Sequence, residues 1–197
     1  MTSEDLWRAT LHDFNNLLAG LQGALDLSDP RLPLDARNRL RLSTSIEEGK
    51  TLIAMARALA LGRRPESGLV PWAEWKAGLE ARMEPLAELF RCPCHLSGTG
   101  LEGSIWPAPL LQDWAAAFTR QILPWSVPGP LRLEASITPE AWVLTWPGDA
   151  PLPLGLKPDP SADTPKNLPI LWLRALGKDM GIRLEETPGG PVARMPR

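Results

Sequence analysis

The chain has 197 residues, a formal charge of −2 and 44% hydrophobic against 22% charged residues, which is the composition of a folded protein. Near-balanced charge offers no basic field for nucleic acid, and no apolar run approaches the ~20 residues that span a bilayer. Proline is over-represented, with 22 residues, yet only Pro30 and Pro33 fall within the first 64 positions. That asymmetry predicts two domains, residues 1–65 and 66–197. The opening Met1-Thr-Ser-Glu-Asp-Leu lacks the basic and apolar regions of a signal peptide. Cys92 and Cys94 stand too close together for a disulfide framework. The expectation is a cytoplasmic protein.

Ser3 is a candidate N-cap for a first helix, with Glu4 and Asp5 in the turn where the helix dipole favours acids. Leu11, Phe14, Leu18, Leu21 and Leu25 then recur at alternating spacings of 3 and 4, a heptad seam. Asp29-Pro30-Arg31-Leu32-Pro33 stops that helix and turns the chain. A second helix is predicted from about Leu34 to Leu61, with its seam at Leu42, Ile46, Gly49, Ile53, Ala56 and Ala60, and with Gly62 and Pro65 beyond its end. Further apolar residues flank both seams: Leu6, Leu17 and Leu27 on the first helix, Leu40, Leu52 and Leu59 on the second. One antiparallel hairpin cannot cover stripes this wide, whereas two hairpins packed as a four-helix bundle can, so a homodimer is expected.

Beyond residue 65 the pattern changes. Residues 71–89 read as an amphipathic helix with Trp72, Trp75, Leu79, Met83 and Leu86 on one side. Residues 91–96 and 101–106 read as short strands around a glycine-rich turn. A helix follows over 109–122, with Pro107 and Pro109 suited to its start. Residues 131–137 and 141–146 alternate as a strand pair. A last helix over 168–178 precedes strands at 182–186 and 192–195. The Cys92-Pro-Cys94-His95 run contains good zinc donors, but the spacing is tighter than usual and no second ligand pair exists, so no metal site is expected.

At ~100° per residue, His12 lies about 140° from the first seam and Asn16 almost opposite it. His12, Asn16 and the flanking Asp13 therefore share an exposed face, which continues through Ala19, Gly20 and Gly23. Glycine inside a helix costs about 1 kcal/mol relative to alanine; two of them here would make a smooth pad for a partner's helix. An exposed helical histidine followed by aspartate suits phosphoryl transfer. The neutral imidazole is a nucleophile near pH 7, the carboxylate can orient it, and an amide one turn on can hold a phosphoryl oxygen or a water.

Leu11-His12-Asp13-Phe14-Asn15-Asn16-Leu17-Leu18 closely resembles the phosphoacceptor box of bacterial sensor histidine kinases, in the subgroup whose box reads H-[ED]-x-N-N-L-L. The resemblance implies that His12 is the phosphorylated residue, Asp13 its acid/base partner and Asn16 the assisting polar group. It also implies an α+β architecture: an N-terminal antiparallel hairpin forming a dimeric four-helix bundle, then a degenerate GHKL-type α/β sandwich. Residues 168–192, with Gly181 and Gly189-Gly190, resemble the family's closing helix, glycine turn and terminal hairpin.

Three departures from the family pattern bear on activity. Ala116 and Arg120 stand where an Asn-rich helix would hold Mg²⁺ and phosphates. Trp146-Pro147-Gly148-Asp149 has no aspartate two residues ahead of the glycine, where the family reads adenine. Thr164-Pro165-Lys166-Asn167-Leu168 replaces the last phosphate-cradling glycine box. ATP is therefore not expected as a ligand, and the chain is expected to bind no cofactor of its own. The reading is a histidine phosphotransfer protein that exchanges a phosphoryl group between His12 and receiver-domain aspartates. The receiver, or a hybrid histidine kinase, would dock along His12, Asn15, Ala19, Gly20 and Gly23 and bring Mg²⁺ with it. Two alternatives remain: a non-catalytic dimeric module that sequesters a response regulator or kinase, and a residual kinase or receiver phosphatase.

Overall fold

The computed structural model describes residues 3–26, 35–61, 68–123, 129–153, 156 and 167–197. The chain divides into two compact units, Met1–Arg63 with Asp163–Trp172, and Arg64–Ala162 with Leu173–Arg197.

In the first unit, helix α1 (Ser3–Asp26) packs along helix α2 (Ala36–Leu61). Asp35 caps α2: its carboxylate accepts the Asn38 N–H at 2.7 Å and its carbonyl accepts the Arg39 N–H. The helix thus begins two residues later than the predicted Leu34; the turn prolines and Gly62 lie outside the described residues. Gly49 sets the approach of the two helices, because a Cβ there would stand 3.0 Å from Leu17 Cδ2. Ala9 and Met55 are buried with it. The seam residues divide in an unexpected way. Phe14 and Leu21 are half-covered, whereas Leu11, Leu18, Leu25, Ile46 and Ile53 are about half exposed, between 47% and 58%. Trp7 is 62% exposed on the same helix as Leu11.

The second unit carries a five-stranded mixed sheet and a separate two-stranded ribbon. The strands are β1 (Gly68–Pro71), β2 (Cys94–Gly98), β3 (Ile105–Ala108), β4 (Leu131–Ile137), β5 (Ala141–Thr145), β6 (Arg183–Thr187) and β7 (Gly190–Pro196). The main sheet runs β2-β4-β5-β7-β6, with β2 parallel to β4 and the other pairs antiparallel. The strands read from residues 91–106 exist at 94–98 and 105–108 but do not pair with each other. Instead β3 pairs with β1, a four-residue strand that the sequence reading misses.

Helices α3 (Trp72–Phe90), α4 (Leu110–Ile122) and α5 (Leu168–Asp179) match the helical readings within two residues. On α3 the predicted stripe of Trp72, Trp75, Leu79, Met83 and Leu86 is buried throughout. Arg91 ends the helix in the left-handed conformation while the Cys92 N–H bonds back to Ala87 O at 3.0 Å. Strand β4 buries Leu131, Leu133 and Ala135 and exposes Arg132 and Glu134, the alternation of a sheet with one covered face. Tryptophans fill the core and place their N–H groups on oxygen: Trp75 on Pro107 O, Trp114 on Leu173 O, Trp142 on Ile105 O. Gly190, at φ +112°, admits no side chain because a Cβ would collide with the Trp146 carbonyl. Among the described residues no helix is long and apolar enough to cross a membrane.

Candidate functional site

His12 sits in the middle of α1 with its side chain 54% exposed, beside Asp13 at 11%. His12 Nδ1 lies 2.9 Å from Asp13 Oδ1 and 3.3 Å from Asn16 Nδ2. One ring nitrogen cannot serve both in the same state. If Nδ1 carries the proton it donates to Asp13 and has no lone pair for the Asn16 amide. If it is bare it accepts from Asn16 but sets its lone pair against a carboxylate. The shorter contact and the charge on Asp13 favour the Nδ1–H tautomer, which leaves the Nε2 lone pair free. The second Asp13 oxygen accepts the backbone N–H of Leu168, at the start of α5, at 2.5 Å.

Asn15, Asn16, Ala19 and Gly20 are exposed along α1 and Gly23 is half-exposed, so the predicted face exists as one surface. Among the described residues, no heavy atom outside the local backbone comes within 4 Å of a Cβ built on Gly20 or Gly23. The space above both glycines is open.

In the second unit, two of the segments expected to differ from a nucleotide site have specific fillings; of the third, Thr164, Pro165 and Lys166 lie outside the described residues. Trp146 is 1% exposed and donates its indole N–H to Thr119 Oγ1 at 2.9 Å. Its ring lies 4.5 Å from that of Phe118, which stacks on Trp114 at 5.2 Å. Ala116 and Arg120 are half-buried, and burial lowers the Arg120 guanidinium below its ordinary value. Asp113, on the first turn of α4, is held in an ion pair with Arg82 at 2.6 Å.

Cys94 opens β2 rather than lying mid-strand, and its thiol contacts Cys92 O, while the Cys92 thiol contacts Gly129 O. Desolvation, and then the neighbouring Cys92, push the Cys94 thiol up to about 11. Among the described residues no group of three or more His, Cys, Asp or Glu side chains could hold a metal ion.

The sequence reading found His12, Asp13 and Asn16 together. It missed Leu168, which enters only through its backbone amide and carries no side-chain signature; the one local signal is Asn167, a capping residue just ahead of an apolar helix.

No protein-family model matches the chain, and no curated protein matches it. Solved structures do. The Acinetobacter baumannii histidine kinase AdeS is similar over 94% of this chain and 97% of its own, with a TM-score of 0.63 and 15% identity. A bacterial phosphotransferase is similar over 98% of this chain and 97% of its own, with a TM-score of 0.52 and 14% identity. At these identities the likeness is one of fold. The chain has the fold of a histidine kinase core.

Proposed function

We propose that the protein is a histidine phosphotransfer protein of two-component signalling, working as a homodimer and without ATP. The observation that carries the reading is the exposed His12 with Nδ1 2.9 Å from the Asp13 carboxylate, the geometry that favours a proton on Nδ1 and a lone pair on Nε2. In the transfer step the Nε2 lone pair attacks the phosphorus of a receiver's aspartyl phosphate. The N–P bond forms as the P–O bond to the aspartate breaks, and the receiver regains its carboxylate. Nε2 has no proton to lose, so the positive charge that develops on the ring is met by Asp13 through the Nδ1–H bond. The Asn16 amide, released from Nδ1 in this tautomer, is one turn away for a phosphoryl oxygen. Mg²⁺ belongs to the receiver in this reading. The open strip through Ala19, Gly20 and Gly23 supports docking of a receiver helix.

The aromatic filling supports the absence of a nucleotide. Trp146 stands two residues ahead of Gly148, the place from which the resembling family reads adenine with an aspartate. Here a buried indole with its only donor spent on Thr119 occupies that place. Arg120 brings a positive charge where a metal would need a neutral oxygen.

The test is incubation with a ³²P-labelled receiver. Wild-type protein is expected to acquire an acid-labile, base-stable label, and His12→Gln none. Labelling that survives His12→Gln would remove the reading. Receiver binding with no phosphohistidine in wild type would replace it with a sequestering module.

A further inference from the structure

The first turn of α5 uses every backbone donor it has. Leu168 N–H goes to Asp13 Oδ2; Pro169 has none; Ile170 N–H goes to the Asn167 side chain at 2.9 Å; Leu171 N–H goes to the Asn167 carbonyl at 3.2 Å. Three of these four positions are satisfied by α5 itself or by the absence of a hydrogen. The fourth, among the described residues, is satisfied by Asp13, which belongs with Leu168 to the same compact unit. Asp13 is thereby fixed at both oxygens, one on the His12 ring and one on a helix N-terminus whose dipole favours an anion.

We infer that the start of α5 is a positioning element for His12: Leu168 N–H anchors Asp13, and Asp13 in turn holds the imidazole as the Nδ1–H tautomer. A carboxylate adjacent in sequence to the histidine and free to rotate would visit this geometry only part of the time. The imidazole alone in water prefers the Nε2–H form, which has no nucleophilic lone pair at the exposed nitrogen. A backbone anchor removes the rotamer freedom of Asp13 and keeps the ring in its reactive state, as outer-shell carboxylates do for metal-bound histidines. Leu168 is a positioning residue here, acting through its main chain. The inference rests on the phosphotransfer reading for its purpose but not for its geometry.

The chain has two histidines, His12 and His95, so ¹⁵N spectra of the neutral imidazoles resolve His12 with His95 as internal reference. Leu168→Pro deletes the N–H at a helix position where proline is well tolerated; Leu168→Ala removes the side chain and keeps the N–H. The expected result is the Nδ1–H tautomer in wild type and Leu168→Ala, and a shift toward Nε2–H in Leu168→Pro. His95 should not move. Transfer from a phosphorylated receiver should slow roughly tenfold or more in Leu168→Pro relative to Leu168→Ala. An unchanged His12 tautomer in folded Leu168→Pro overturns the inference, as do equal transfer rates in the two variants.

Because Leu168 is fully buried, a second measurement leaves α5 untouched. Asp13→Ala should accelerate hydrogen exchange at the Leu168 amide roughly tenfold or more, as a lost hydrogen-bond partner requires, while the Ile170 amide keeps its protection. Unchanged exchange at Leu168 overturns the inference. Both spectroscopic results obtained in a protein that never accepts a phosphoryl group would support the anchor and remove the phosphotransfer reading.

Discussion

At the scale of single residues, the contrast between His12 and Cys94 shows how exposure directs chemistry. His12 projects from a helix with Nδ1 engaged and more than half of its side chain exposed. Cys94 is half-buried at the mouth of β2, and the burial holds its proton in place to a pKa of about 11, against an ordinary 9.0. Iodoacetamide followed by mass spectrometry at pH 8 is therefore expected to spare Cys94, with labelling rising only as the pH nears about 11. The sign for stability follows. Between about 9 and about 11 the unfolded thiol has lost its proton while the folded one keeps it, so stability falls as pH rises through that window. Chemical denaturation across those pH values, with Cys94→Ser as the flat reference, measures the slope. Of the site itself, His12, Asp13 and Asn16 are legible because their chemistry is written in side chains at helical spacing. The Leu168 amide and the aromatic partners of Trp146 are not, because a backbone donor and packing neighbours as distant in sequence as Phe118 and Trp114 leave no local pattern.

At the scale of elements, the periodic ones are legible and the short ones are not. Helix α3 shows its buried stripe in the spacing of two tryptophans, two leucines and a methionine. Strand β4 shows its buried face through alternation, whereas β5, expected to alternate, buries Trp142, Val143 and Leu144 in a row because it lies inside the sheet between β4 and β7. Strand β1 has four residues, Gly68-Leu-Val-Pro71, too few to establish a period, and its partner β3 lies across the whole of α3. Pairing over such a distance is decided by the tertiary fold. Helix α1 carries a test of its own surface. Gly20 is mid-helix with open space around it, so Gly20→Ala should stabilise the protein by about 1 kcal/mol in urea denaturation. Gly20→Leu should retain most of that gain yet weaken receiver binding in calorimetry, because the bulk lands on the pad. A Gly20→Leu protein that binds the receiver as wild type does would place docking elsewhere.

At the scale of the whole molecule, the seam supports the homodimer proposed above. Leu11, Leu18, Leu25, Ile46 and Ile53 stay about half exposed after α1 and α2 have packed on each other. An apolar line at heptad spacing left in water is a cost that a second copy removes. Leu18→Glu is expected to convert a dimer to a monomer in sedimentation velocity, with helical circular dichroism largely retained; a wild-type protein that sediments as a monomer would count against the bundle. The proline asymmetry that first divides the chain is consistent with this arrangement, since α1 and α2 contain no proline along their described lengths. Tryptophan is distributed with a comparable bias. Among the described residues seven indoles are buried, at 72, 75, 106, 114, 142, 146 and 172, while Trp7 is open to water one and a half turns ahead of His12; Trp125 lies outside the described residues. With no tyrosine in the chain, ultraviolet emission comes from indoles. The difference between wild-type and Trp7→Phe spectra then isolates a single red-shifted emitter close to His12 on α1. A receiver arriving at His12 should quench or blue-shift that emitter, and the protein needs no added dye to report its own occupancy in a stopped-flow trace.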